Sequence, residues 1–479
     1  MIKKSKGITK SEQLLTELCE QAFLKLWSYP NVFRDQGQTP RNHQGKEICD
    51  LLVVFEREII IFSDKSCSLT NSGDLHKDWR RWFDKAIMRS THQIYGAERW
   101  IKKFPEKIFL DNECRQRFPL RLESIDEYRF HRIIIATGAR ERCKQEMGNT
   151  GSLAIIPKII SDDHIKPTAA SYHPFAIGQI DPSRGFIHVL DDVTSRILLE
   201  ELDTTQDFVD YLIEKEKIIL SGVLVAAASE EDLLAVYMRN AFQTDRFIPS
   251  DSKALIIVDN GCWENWKCHP SYMEKKTLDQ PSHQVWDKII NIFGKNALEG
   301  TVLPESSLKD VSDIEACLRI MASETRLSRR GLSEKILEKM LNTKPDKTGS
   351  RVLTLETAPD KGYALLLYPR KPNDDPKAYR SYRKAYHTAW CYVCGERDRK
   401  LKQIVGIATE SGKDKVGETW DFCLFKPGEW TQEKVAIAVE LDKYMKYGTT
   451  TKRSIFTEWS LPEKWIENLE RNSGNDSIT

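Results

Sequence analysis

GKEICDLLVVFEREIIIFSDKSC, residues 45–67, is the stretch whose reading decides the fold. Asp50 opens an apolar run through Phe55, and a three-residue turn, Glu56-Arg57-Glu58, follows. A second apolar run, Ile59–Phe62, ends in Ser63, Asp64 and Lys65. Two strands joined this tightly read as an antiparallel hairpin over 50–55 and 59–65. Side chains alternate along a strand, so Ile59, Ile61, Ser63 and Lys65 share one face and Ile60, Phe62 and Asp64 the other. Asp50 shares a face with Leu52 and Val54. Where these two faces coincide, an acid and a lysine converge at one end of a sheet. Such a pair suits phosphodiester hydrolysis: the carboxylate holds Mg²⁺, and the ammonium offsets charge growing on phosphorus. The plainer reading is an ordinary buried hairpin with solvated charged ends.

The flanks give the order of elements. Residues 11–29 read as an amphipathic helix, with Ser11 as N-cap and Leu14, Leu15, Leu18, Ala22 and Leu26 at helical spacing. Residues 30–49 read as a polar loop. After Gly73-Asp74 a helical pattern runs to about Lys103, burying Trp79, Phe83, Ile87 and Ile94. Short β-like runs follow at Lys107–Leu110, His131–Thr137 and Phe186–Leu190, then helices near Thr204–Lys217 and Ser229–Phe242. Residues 281–345 read as mostly helical. Strands are expected at Val352–Glu356, Tyr363–Tyr368, Ile404–Ala408 and Phe422–Phe425, with helices near 376–394 and 431–446. The fold class is α/β (α+β), built on mixed sheets flanked by helices.

The chain has 479 residues, 40% hydrophobic and 30% charged, which describes a globular protein of two or three domains. Its net charge of +1 excludes a global polyanion-binding surface, so any basic patch is local. No apolar run is long enough to cross a bilayer, and no apolar h-region follows the basic start MIKKSKGITK. Eleven scattered Cys read as reduced thiols in a cytoplasm. Residues 191–240 hold 12 Asp or Glu against 4 Lys or Arg, and read as solvated helix faces or a docking surface.

The order helix with Glu, Asp before a hairpin, strand closing on Lys, then long helix resembles the PD-(D/E)xK, restriction-endonuclease-like superfamily over roughly residues 11–140. The resemblance implies Asp50 as metal ligand, Lys65 as catalytic lysine and a Glu of the first helix completing the site. Glu20 is the choice, because Phe23, Leu24 and Trp27 follow it at inward-facing spacing, and Glu17 is the runner-up. Ser63 stands where the family has its second acid. Asp64, turned inward by a bulge, or Glu47 would replace it; otherwise the domain is a catalytically inactive nuclease fold that binds nucleic acid or protein. Gln93 matches a glutamine that some members carry on the helix after the lysine strand. A second resemblance rests on GKEICDLLVVF, IIIFSDKSC, HRIIIATGA, GFIHVLDDVT, ELDTTQDFVDYL, ASEEDLLAVYM and QIVGIATE. Together they look like long bacterial proteins with an N-terminal domain of this type, associated with anti-phage defence. That likeness implies a cytoplasmic toxin, silent until infection and activated by a phage protein.

These resemblances imply a nuclease domain at 1–245, a helical connecting region at 246–349, and a sensor or substrate-binding domain at 350–479 with a disordered tail from about Arg471. The implied cofactor is Mg²⁺ or Mn²⁺. The implied substrate is RNA, tRNA included, or DNA. RNA is favoured because its 2′-hydroxyl is a built-in nucleophile that tolerates an incomplete metal site. Arg81, Lys85 and Arg89, at i, i+4 and i+8 on the long helix, are placed to grip a phosphate backbone or are simply solvated. Residues 369–390 interleave bases, Arg380 and Lys384 among them, with Tyr379, Tyr382, Tyr386 and Trp390. That pattern suits looped RNA, but its helical spacing equally places the aromatics in a core. Cys391-Tyr-Val-Cys394 is half of a zinc site whose other half would come from Cys262, Cys268 or His269; buried reduced thiols are the simpler reading.

Overall fold

The hairpin forms, and it lies inside a larger sheet. The computed structural model describes residues 2–36, 44–148, 150–244, 255–299, 311–355, 358–371, 373–412 and 419–445. The tail from Arg471 lies outside them. Contacts divide the chain into two units, Met1–Glu274 with Leu298–Gly300, and Lys275–Ala297 with Thr301–Thr479.

In the first unit, helices α1 (Lys10–Ala22) and α2 (Leu24–Trp27) lead into strands β1 (Ser28–Arg34), β2 (Lys46–Phe55) and β3 (Glu58–Ser66). Helix α3 (Leu75–Phe83), a π-helical turn (Asp84–Met88) and α4 (Arg89–Lys103) form one long rod, capped by Asp74 accepting from the Lys77 N–H. Then come β4 (Arg129–Thr137), α5 (Arg140–Met147), β5 (Ala154–Ile160), β6 (Ala176–Gln179), β7 (Ile187–Leu190), α6 (Asp192–Glu201), α7 (Thr205–Leu220), β8 (Leu224–Ala227), α8 (Glu230–Thr244), β9 (Ile256–Val258) and α9 (Cys262–Lys267). One mixed sheet has the order β1-β2-β3-β4-β7 and a smaller one β6-β5-β8-β9.

Period-2 alternation decides what each face of the main sheet buries. Leu52, Ile59 and Ile61 join a core with Trp79, Trp82, Phe83, Ile87 and Ile94 from the rod. Phe62, on the other face, meets Phe23 and Phe208, with ring centroids 6.3 and 6.5 Å away. The hairpin is therefore covered on both sides, which explains why it is nearly all aliphatic.

Several sequence expectations are corrected. Residues 28–34 are a strand, not the end of the helix and the start of a loop: β1 pairs antiparallel with β2, and Tyr29 and Val32 are fully buried. The first helix is capped by Thr9, whose hydroxyl accepts from the Glu12 N–H at 3.1 Å. Ser11 is inside that helix, and Leu14 faces solvent at 48% exposure. The 107–110 run supplies two isolated bridges at Phe109, to Phe33 and to Arg117, and no strand. The acidic tract is not merely solvated. Glu230 is buried against Lys215 and accepts from the Tyr211 hydroxyl at 2.6 Å, while Asp191 caps α6.

The second unit contains helices α10 (Pro270–Glu299, through its residues 275–297), α11 (Val311–Ala322) and α12 (Arg326–Asn342), followed by a β–α–β layer. Strands β10 (Gly349–Leu355), β11 (Ala358–Tyr368), β12 (Gln403–Glu410) and β13 (Trp420–Phe425) lie in that order, with helix α13 (Pro376–Arg397) crossing between the parallel pair β11 and β12. Helix α14 (Gln432–Met445) packs on α13.

Candidate functional site

Asp50 and Asp64 meet where β2 and β3 part. The antiparallel ladder ends at the pair Leu51 and Phe62. One step beyond, the Asp64 N–H donates to Asp50 Oδ2 at 2.6 Å. On its other side β3 stays paired with β4 through Ser66 without a register shift, so no bulge turns Asp64. None is needed: Asp64 has the same parity as Phe62, which puts it on the α1 side of the sheet.

There it joins a group of carboxylates. Glu12, in the first turn of α1, accepts from the Ile8 N–H at 2.7 Å and from Asn31 Nδ2 at 3.2 Å. The same Asn31 amide donates to Glu47 Oε1 at 2.8 Å. Burial pushes the Asp50 carboxyl up to about 7; the Asp64 N–H opposes this, and the charges of Glu47, Glu12 and Asp64 add to it. Burial also raises Asp64, with Glu12 and Asp192 adding and the Ser11 hydroxyl and Lys65 opposing. Glu47 is raised by burial and by Glu12, against its bond to Asn31. Burial first, and neighbouring charge second, thus hold the Asp50, Asp64 and Glu47 carboxyls above their ordinary values.

The helix acid of this group is Glu12, not Glu20. Glu20 lies at the other end of α1, 4.0 Å from Lys25 Nζ, where it opposes the burial that lowers Lys4 to about 7. Glu17 is exposed. The spacing argument for Glu20 rested on Phe23, Leu24 and Trp27, but α1 stops at Ala22 and those residues follow a break. The legible signal for Glu12 was its position three residues after Thr9, the spacing of a capping sequence at a helix start.

Lys65 is exposed next to Asp64. Ser63 is 1% exposed, and neither its hydroxyl nor Asp64 Oδ1 has a hydrogen-bond partner. Asp64 Oδ1, buried and unpaired beside Asp50, is a hard oxygen donor of the kind Mg²⁺ or Mn²⁺ takes, while Ser63 lies on the opposite face of β3 by alternation. The carboxylates are more widely spread than a closed cage requires: among the described residues, the group of three donors within 4.8 Å of one another is His387, Cys391 and Cys423. Mg²⁺ commonly uses one or two carboxylates and keeps its waters, so the spread does not exclude it.

The remaining predicted residues are dispersed. Arg81, Lys85 and Arg89 are all exposed along the α3–α4 rod, which packs on the face of the sheet opposite α1, and Gln93 on α4 is half-buried. In the second unit Arg380 and Lys384 are half-buried on α13. The aromatic interleaving there is mainly core: Tyr379 and Trp390 are buried, and Tyr382 is the exposed ring. Arg383 is fully buried in ion pairs with Glu410 at 2.7 Å and Asp421 at 2.6 Å. Cys391 does not pair with Cys394 as half of a zinc site; its donor neighbours are His387 and Cys423. Among the described residues no helix is long and apolar enough to cross a membrane. The chain matches no family model, no curated protein and no solved structure.

Proposed function

We propose that the first unit is a metal-dependent nuclease that hydrolyses phosphodiester bonds of RNA, tRNA included, or of DNA. The observation that carries this reading is the junction of β2 and β3. There Asp50, Asp64 and Glu12 crowd together, Asp64 Oδ1 is buried unpaired, and Lys65 stands exposed beside them. In this reading Asp50 and Asp64 hold Mg²⁺ or Mn²⁺, with Glu12 behind them. The ion supplies a polarised phosphoryl oxygen and a bound water of lowered pKa. A cation held there would favour the carboxylate form of Asp50. The Asp64 N–H fixes the Asp50 carboxylate. Lys65 orients water and offsets charge on the phosphoryl group. Arg81, Lys85, Arg89 and Gln93 supply backbone contacts on nucleic acid, and Arg380 and Lys384 do the same from the second unit. The likeness to phage-defence effectors extends this to a bacterial cytoplasmic toxin, held silent until a phage protein releases it.

A second reading, an inactive nuclease fold that only binds nucleic acid or protein, is favoured by Ser63 in the place of an acid and by the spread of the carboxylates. Cleavage assays on plasmid DNA and total tRNA decide between them. Metal-dependent cleavage lost in Lys65→Ala supports the nuclease, and binding without cleavage supports the platform.

A further inference from the structure

His387, Cys391 and Cys423 bring three donor atoms within 4.8 Å of one another in the second unit, packed against a glycine. His387 and Cys391 lie one turn apart on the face of α13 that packs on the sheet. Cys423, on β13, sits directly opposite Gly406 of β12 in the antiparallel ladder. A Cβ built on Gly406 would fall 2.3 Å from His387 Nε2, 2.6 Å from Cys391 Sγ and 2.7 Å from Cys423 Sγ. The imidazole nitrogen and the two sulfurs therefore close directly on the bare Cα of Gly406, where any larger residue would collide with all three. The two sulfurs are 3.6 Å apart. That is far beyond a disulfide bond of about 2.05 Å. It is close to the edge of about 3.8 Å between two thiolates in a zinc tetrahedron with Zn–S bonds of about 2.3 Å. His387 is 1% exposed, and its Nε2 makes no hydrogen bond of normal geometry.

We infer that His387, Cys391 and Cys423 bind a zinc ion between α13 and β13. Two thiolates and an imidazole are a soft-to-borderline donor set that selects Zn²⁺ over Mg²⁺. Three protein ligands leave a fourth coordination position for water. Binding pins the middle of α13 to β12 and β13, beside the buried Arg383–Glu410–Asp421 ion pairs. Loading releases protons from the cysteines to solvent as they become thiolates.

The test uses the full-length chain purified without chelator, with metal content read by mass spectrometry. Wild type is expected to carry about one zinc per chain, falling at least about tenfold in Cys423→Ser and in Gly406→Ala. Cys394→Ser is expected to keep it. Because Gly406→Ala crowds the core, wild type stripped and reloaded with Co²⁺ alone gives an independent reading. A thiolate-to-cobalt charge-transfer band with tetrahedral d–d bands is expected, and Cys423→Ser, its circular dichroism unchanged, loses the band. Wild type that carries no zinc and takes up no Co²⁺ overturns the inference. So does a Cys391–Cys423 disulfide in the freshly purified chain, or zinc that survives in Cys423→Ser.

Discussion

Asp50→Asn separates the site's electrostatics from its packing. In the folded chain Asp50 titrates near 7, against 3.8 for the exposed group. The folded pKa is raised, so the unfolded chain binds fewer protons than the folded one between those values, and stability falls as pH rises through that window. A shift of about 3 pH units at about 1.4 kcal/mol each amounts to about 4 kcal/mol of strain, fully present above pH 7 and absent below pH 4. Asparagine keeps an oxygen for the Asp64 N–H but loses the charge assistance of that bond, about 1–2 kcal/mol. The net expectation at pH 8 without divalent cation is stabilisation by about 2–3 kcal/mol, or roughly 4–10 °C in the melting of the first unit. At pH 4 the gain is absent. The assay is thermal unfolding of both proteins from pH 4 to 8 in EDTA, followed by Mg²⁺ addition. Mg²⁺ is expected to raise the wild-type transition as it relieves the strain, and to leave Asp50→Asn unmoved. A variant less stable than wild type at pH 8, or a difference that does not change with pH, would refute the reasoning.

Four other outcomes are expected. Glu12→Gln lowers the Asp50 pKa and weakens Mg²⁺ binding at least about threefold, while Glu20→Gln leaves both unchanged; calorimetric titration at pH 7 distinguishes them. Lys65→Ala abolishes cleavage and changes stability by less than about 0.5 kcal/mol, because the side chain is exposed; activity and urea unfolding are read together. Replacing Arg81, Lys85 and Arg89 with Ala weakens nucleic-acid binding across sequences and flattens its log-salt slope by about 2–3, measured by anisotropy from 50 to 200 mM salt. Arg383→Ala leaves Glu410 and Asp421 without their cation and destabilises the second unit by about 3–5 kcal/mol. Calorimetry should show that unit's transition falling while the first unit's stays.

What was legible in the sequence followed periodicity. The hairpin, the 75–103 rod and the 376–394 helix announced themselves through long runs of one period, and Gly73-Asp74 marked the start of the rod. The strand at 28–34 was missed because its pattern is cut by Pro30 and Asn31, turn residues that an edge strand tolerates. That Asp50 reaches the end of β3 was readable from the hairpin, but alternation matched it with Lys65, and its partner there is Asp64, which alternation put on the other face. The choice of helix acid was not, because it depended on where α1 breaks, and a break at Phe23 leaves no Gly or Pro in the sequence. On α13 the spacing placed Tyr379, Tyr382, Tyr386 and Trp390 in a core; Tyr379 and Trp390 are buried, and Tyr382 is exposed. The buried stripe is instead Tyr379, Arg383, His387 and Cys391, four apart, because Glu410 and Asp421 on the strands accept the arginine. Pairing across 27 and 38 residues has no local signature.

The most direct test of the central claim is cleavage of plasmid DNA and of total tRNA by purified wild type, Asp50→Asn and Lys65→Ala. Each is assayed with Mg²⁺, Mn²⁺ or EDTA, and with lysate of phage-infected cells as a source of activator. The account predicts that wild type cleaves one of these substrates with Mg²⁺ or Mn²⁺, that EDTA stops it, and that both folded variants are silent. Folded wild type that binds nucleic acid but cuts neither substrate under any of these conditions, or variants that cut as fast as wild type, would contradict it.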